Sequence, residues 1–196
     1  MAWNDWFHLM SNTYGTWPPG DPRGFRTRGH REHVQGDYKQ PPPRGRYDDR
    51  LARARRLMKR SPVHLSLAAR AGAVQAIGHA LVDVHGLEML ALAVSGEHLH
   101  VLVRLSVVKK PTALRRGLRE RDPARYFMGI AKERSAKKLA ADGLVAPGGV
   151  WAKRGKIVGI VDRAHQVHVY RYVLRHVHEG AVAWSFRDGV LMPAGA

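Results

Sequence analysis

The chain has no cysteine among its 196 residues. Disulfide staples, thiolate zinc sites and a cysteine nucleophile are therefore excluded together. It also lacks any apolar run approaching the roughly 20 residues that a helix needs to cross a bilayer. The opening MAWNDWFHLMSNTYG has no basic stretch followed by an apolar one, so a cytoplasmic protein with no membrane partner is expected. Acidic residues are scarce: 16 Asp and Glu stand against 33 Lys and Arg, for a formal charge of +17. A field of that sign and size draws polyanions, nucleic acid being the commonest, and leaves ribosomal association open.

The length suffices for one domain with a real core, carrying a loose extension. Composition changes near Arg60. From Trp17 to Arg60 the chain holds WPPGDPRGF, GHREH and QPPPRGRY, without helical or strand periodicity. Residues 17–60 are expected to be a Pro- and Arg-rich irregular insertion that ends in a basic helix-like piece, LARARRLMKR. Ahead of it, Trp6 to Met10 reads as a first strand. After it, Ser66 can cap a helix from Leu67 to Val84 with Leu67, Ala71, Val74, Ile77 and Leu81 on one face. The apolar run LEMLALAV, the Ser95-Gly96 turn and HLHVLVRL form a predicted hairpin. Asp122 before Pro123 opens a basic helix that Gly143 stops. Short strands are expected around Trp151 and from Ile157 to Val161, before a last helix, RAHQVHVYRYVLRHVHEG. This order predicts an α+β fold: an antiparallel, ferredoxin-like sheet with helices on it.

Side chains alternate along a strand, so His98 and His100 share a face. Two imidazoles on one strand can grip an ion if a third ligand arrives from elsewhere. They can equally be hydrogen-bonded histidines of a half-buried strand. With twelve histidines such a pair arises by chance, and His176 with His178 is another. The last helix bears on the choice. At 100° per residue Val167, Tyr170, Val173, Leu174 and Val177 gather in an apolar stripe, while His165, Tyr172 and His176 fall together nearly opposite. Tyr170 is thus expected in the core, and Tyr172 one turn before His176 on a solvent-facing side. A tyrosine hydroxyl beside a divalent cation suits nucleophilic attack on a phosphodiester.

His98-Leu99-His100 and the Tyr172-x-x-x-His176 helix resemble the motifs of the HUH endonucleases, and within them the REP-associated and insertion-sequence single-tyrosine transposases. The order is also similar: hairpin with paired histidines, basic helix from Pro123, Trp151 strand, tyrosine helix and downstream Gly180. The opening WFHLMSNTYGTWPPGDPRGF looks like the group's first strand and loop, and the likeness covers nearly all of 1–196 as a single domain. It implies Tyr172 as nucleophile and His98, His100 and His176 as ligands of Mg2+ or Mn2+. The substrate would be single-stranded or hairpin DNA, cleaved through a 5′-phosphotyrosine and rejoined in transposition by a nucleoid-associated enzyme. A homodimer is compatible with the likeness, as is a domesticated hairpin DNA- or RNA-binding protein that no longer cuts. Lys132, Lys137, Lys138, Lys153 and Arg154 are candidate phosphate contacts. Two positions depart from the pattern. His176 stands where relatives carry Asn or Gln, which favours a softer transition ion, and Gly96-Glu97 where they carry Pro-Asn.

Overall fold

The computed structural model describes residues 2–23, 25, 45–105 and 122–195. Residues 24 and 26–44 of the expected insertion lie outside these. Strand β1 is Trp6–Asn12, and helix α1 is Asp48–Arg56. Helix α2, Leu67–Gly78, continues as a wider π-helical turn over His79–Val84. Strands β2 (Glu88–Val94) and β3 (His98–Arg104) follow, then α3 (Pro123–Ala141), β4 (Lys156–Gly159), α4 (Arg163–Arg175), β5 (Val182–Ser185) and β6 (Gly189–Leu191).

The strands form one antiparallel sheet in the order β4-β1-β3-β2-β5-β6. The succession β1-α2-β2-β3-α3-β4 with the spatial order β4-β1-β3-β2 is compatible with a ferredoxin-like arrangement. Strands β5 and β6 widen the sheet beyond β2.

Alternation along the strands divides the core in two. Leu99, Val101 and Val103 of β3, with Leu9, Leu92 and Val94, face α2 and α3. Leu102, with Trp6, Ala91, Ala93, Ala181 and Ala183, faces α4. The helices thus cover both faces of the sheet. The α2 and α3 side is the larger core, reaching Ile77, Leu81, Phe127 and Leu139. The α4 side is lined by alanines, whose small side chains let the helix lie close.

The helix starts follow their sequence signals. The Ser66 hydroxyl accepts from the Ala69 amide at 3.2 Å, and the Asp122 carboxylate from Ala124 N at 3.0 Å. Other expectations are corrected. The basic piece expected over Leu51 to Arg60 is helical from Asp48 and ends at Arg56, and Phe25 is buried against the Tyr47 ring at 5.2 Å. The described part of the insertion is therefore partly regular. Trp151 makes only an isolated bridge to Thr13, and its indole Nε1–H donates to the buried Ser135 hydroxyl at 2.9 Å. The α2 face that is buried runs through Ala69, Ala73, Ile77 and Ala80 beside Val74 and Leu81, with Leu67 and Ala71 only partly covered. The C-terminal hairpin β5-β6 was not expected at all, although its Asp188-Gly189 turn is a hairpin signal. Among the described residues, no helix is long and apolar enough to cross a membrane.

Candidate metal centre

Strand β3 lies between β1 and β2, and its polar parity faces α4. His98 and His100 have the same parity as Leu102, so both project toward that helix. The neighbour of His100 on β2 is Ala93. This small side chain leaves room above the strand, and the end of α4 fills it.

There the α-helix tightens into a 3-10 turn over His176–Glu179, closed by Gly180 in the left-handed conformation at φ 85°. Arg70 of α2 donates to the Gly180 carbonyl at 2.6 Å and to the Leu65 carbonyl at 2.9 Å, which ties the turn to the end of the sheet. His176 consequently lies over the strand histidines. Its ring stacks on His100 at 4.6 Å between centroids and meets His98 edge-on at 5.0 Å. One ring nitrogen from each of His98, His100 and His176 lies within 4.8 Å of the others.

The outer nitrogens decide which inner ones remain. His176 Nδ1 bonds the Glu179 carboxylate at 2.8 Å, and a carboxylate only accepts, so this nitrogen carries the proton. His98 Nδ1 bonds the Ser95 hydroxyl at 3.0 Å, and His100 Nδ1 bonds His8 Nε2 at 2.9 Å. Nε2 of His98 and Nε2 of His176 are buried with no hydrogen-bond partner among the described residues. Two buried, unsatisfied imidazole nitrogens beside a third call for an acceptor of lone pairs. The donor set and its bonded outer shell fit a divalent transition ion. The spread of the nitrogens exceeds the roughly 3.4 Å between two nitrogens that share a tetrahedral ion, so the rings must draw in to hold one.

Burial keeps His8, His98 and His100 neutral. Burial lowers His98 to about 4, with the neighbouring His176 acting the same way. Burial lowers His8 to about 4 and His100 to about 2, again reinforced by adjacent histidines. Lone pairs are therefore free at neutral pH, as a metal ligand requires.

Tyr172 borders the cluster. Its ring lies 4.9 Å from that of His176, 5.4 Å from His100 and 6.0 Å from His8, and the Arg175 guanidinium carbon is 5.5 Å from its centroid. The sequence correctly joined Tyr172 with His176, but not their surroundings. The buried stripe of the helix is Gln166, Val169, Val173 and His176, whereas Val167 and Tyr170 are only half-buried. His176, expected to face solvent, is 6% exposed. The histidines on the sheet explain the shift: beside its alanines the face under α4 carries His8, His98 and His100, so the helix turns its Tyr and His side toward them.

No family model matches this sequence, and no curated protein matches it.

The five basic candidates separate. Lys132 is packed inward, donates to the Ala152 carbonyl and has its ammonium lowered to about 8 by burial. Lys137 pairs with Glu133 and Lys138 with Asp142, each at 2.6 Å and one helical turn apart. These three are engaged within the fold and do not gather at the histidines. Lys153 and Arg154 are exposed on the segment leading into β4. Lys156, which sequence reasoning did not single out, pairs with Met10 and so shares the α4 face, where its charge helps hold His8 neutral. Glu97 is held by Arg23 at 2.9 Å and His64 at 3.4 Å. His178 is exposed and takes no part.

His8, Ser95 and Glu179 were missed. A lone histidine in a short strand has no spacing signal of its own. Only the register of β1 on β3, with Met10 opposite His100, sets His8 diagonal to the pair.

Proposed function

We propose that the chain is a metal-dependent single-tyrosine nuclease of the HUH type that cleaves and transfers single-stranded or hairpin DNA. One observation carries the reading. His176 meets His98 and His100 of the central strand, and Tyr172 meets His100 and His176, at ring separations of 4.6 to 5.4 Å. Chance pairs of histidines in sequence have no reason to converge on a tyrosine in space.

His98, His100 and His176 would hold the divalent cation, Mg2+ or Mn2+ by the family likeness. A bound cation there would polarise a phosphate oxygen and stabilise the charge that develops on it. The remaining steps belong to the protein. Exposed Lys153, Arg154 and Lys156 attract the phosphodiester backbone. Tyr172 supplies the attacking oxygen: its bond to phosphorus forms as the bond from phosphorus to the 3′-oxygen breaks, and the phenolic proton leaves. The products are a 5′-phosphotyrosine and a free 3′-OH. Because one phosphoester replaces another, the 3′-OH of a second end can reverse the step without ATP.

The test is adduct formation on a single-stranded oligonucleotide with a hairpin, in Mg2+ or Mn2+. The wild-type chain is expected to gain the mass of one DNA fragment. Tyr172→Phe is expected to form no adduct while binding the oligonucleotide within about twofold of wild type, since one partly exposed hydroxyl contributes little to affinity. Tyr170→Phe, whose ring rests on Phe186 at 5.9 Å away from the histidines, should form the adduct normally. Adducts that persist in Tyr172→Phe sink the nuclease reading. Binding without any adduct leaves a hairpin-binding protein in its place.

A further inference from the structure

The three inner nitrogens are all imidazole, and among the described residues no carboxylate oxygen joins their group. Glu97 is occupied by Arg23 and His64, and Glu179 by His176 Nδ1. Magnesium prefers hard oxygen donors in octahedral geometry, whereas imidazole suits zinc and its neighbours. Three imidazole nitrogens make the donor set of a tetrahedral zinc site that keeps one position open.

We propose that His8 and Glu179 are positioning residues which hold His100 and His176 with Nε2 inward, so that the centre binds a zinc-class transition ion in preference to magnesium. This rests on the reading of His98, His100 and His176 as metal ligands, and adds two residues and a class of ion to it. Each residue acts through a ligand. Glu179 is 55% exposed, yet its carboxylate reaches a ring that is 7% exposed. It leaves His176 Nδ1 no role but donor and raises the basicity of Nε2. His8 Nε2 and His100 Nδ1 share a hydrogen bond at 2.9 Å; with His100 Nε2 given to an ion, Nδ1 carries the proton and His8 accepts it. Its ring is buried, tilted 31° against His100 at 5.1 Å, and braced by the edge of Tyr172 at 6.0 Å. His98 completes the pattern: the Ser95 hydroxyl that faces its Nδ1 also lies 3.3 Å from the His98 carbonyl, to which it can donate its own proton.

The alternative for Glu179 is a helix-terminus ion pair with no bearing on metal. Such a pair would contribute to stability alone. A positioning role must also move metal affinity and the shape of the site, which can be read directly.

The experiment titrates the full-length, chelator-treated chain with Zn2+, Mg2+ and Co2+ by competition with a chromophoric chelator. Wild type is expected to bind one Zn2+ at least about a hundredfold more tightly than Mg2+, and Co2+ with the intense visible bands of four-coordination. Glu179→Gln keeps an acceptor for His176 Nδ1 but loses the negative charge that raises the basicity of Nε2, and at this exposed position it should weaken Zn2+ by roughly 10-fold and alter the cobalt spectrum, while the metal-free protein melts as wild type does. His8→Ala should weaken Zn2+ similarly, and His8→Gln, which restores an acceptor near the Nε2 position, should recover most of the loss. His8→Ala removes a buried ring and can fail to fold, in which case Glu179→Gln and His8→Gln decide. Zinc affinity and cobalt spectrum unchanged in Glu179→Gln, or Mg2+ bound as tightly as Zn2+, overturns the inference even if DNA is cleaved. A wild-type chain that takes none of the ions overturns the metal centre itself. Zinc bound as described but no DNA adduct leaves the inference standing and removes the nuclease reading.

Discussion

Histidine is usually the residue that charges near neutrality, and here three of them cannot. His8, His98 and His100 have folded values of about 4, about 4 and about 2 against 6.5 for the free side chain, burial being the first cause in each. Their neutral forms belong to the folded state. The unfolded chain takes up protons below 6.5 and the folded one does not, so stability is full above that pH and is lost as pH falls toward 4. Metal-free protein melted at a series of pH values should show Tm level above about 7 and falling steadily below about 6. A Tm independent of pH between 7 and 4 would contradict the burial of these rings. A second residue carries a similar burden in the other core. The Ser135 hydroxyl accepts from the buried Trp151 indole and donates to the Ala131 carbonyl at 2.6 Å. Ser135→Ala strands that indole N–H and should cost about 1–3 kcal/mol in urea unfolding.

At the level of elements, α4 is the part whose placement matters most to the site, and its first turn is set by Asp162. That carboxylate accepts from His165 N at 2.7 Å. Asp162→Ala should cost about 0.5–2 kcal/mol of stability and slow adduct formation in the assay above, since Tyr172 sits on the helix it starts. An unchanged urea midpoint would show the cap to be idle. Capping chemistry of this kind is local, which is why the starts at Ser66 and Asp122 were readable in the sequence. The rotation of α4 was not. Helical-wheel reasoning assumes that apolar side chains face the core, and this helix covers a surface that already holds His8, His98 and His100. Knowing which way α4 turns requires knowing what it lies on, and that is a tertiary fact. The β5-β6 hairpin is a different case: its Asp188-Gly189 turn was present but overlooked beside the stronger tyrosine helix.

Over the whole molecule the charge of +17 is the dominant field. Part of it is already committed to neighbours, as with Lys137, Lys138 and Lys132. More of it is exposed on the last turn of α1, which carries Arg53, Arg55 and Arg56, and none of the helix's residues is buried. Replacing these three by Ala should flatten the slope of log affinity for single-stranded DNA against log salt by about 2, if each releases near 0.7 of a counterion. The circular dichroism spectrum should keep its sheet signal, and an unchanged slope would mean that α1 does not reach the nucleic acid. The sequence was most informative where function requires residue types at short spacing, the histidine pair and the Tyr172 to His176 turn. It was least informative where partners come from opposite ends of the chain, as His8 and His100 do.

That separation has a consequence for how the protein is made. The cluster draws on β1, β3 and the turn after α4, so its members span positions 8 to 176. Contacts this distant close late, because the loop entropy must be overcome before they can reward the chain. During synthesis from the N-terminus, a chain that has completed β3 owns His8, His98 and His100 but neither His176 nor Tyr172. Those two arrive together, on α4 and the turn after it. A chain that stops short of α4 therefore carries the sheet's three histidines without the imidazole and the phenol ring that complete the cluster.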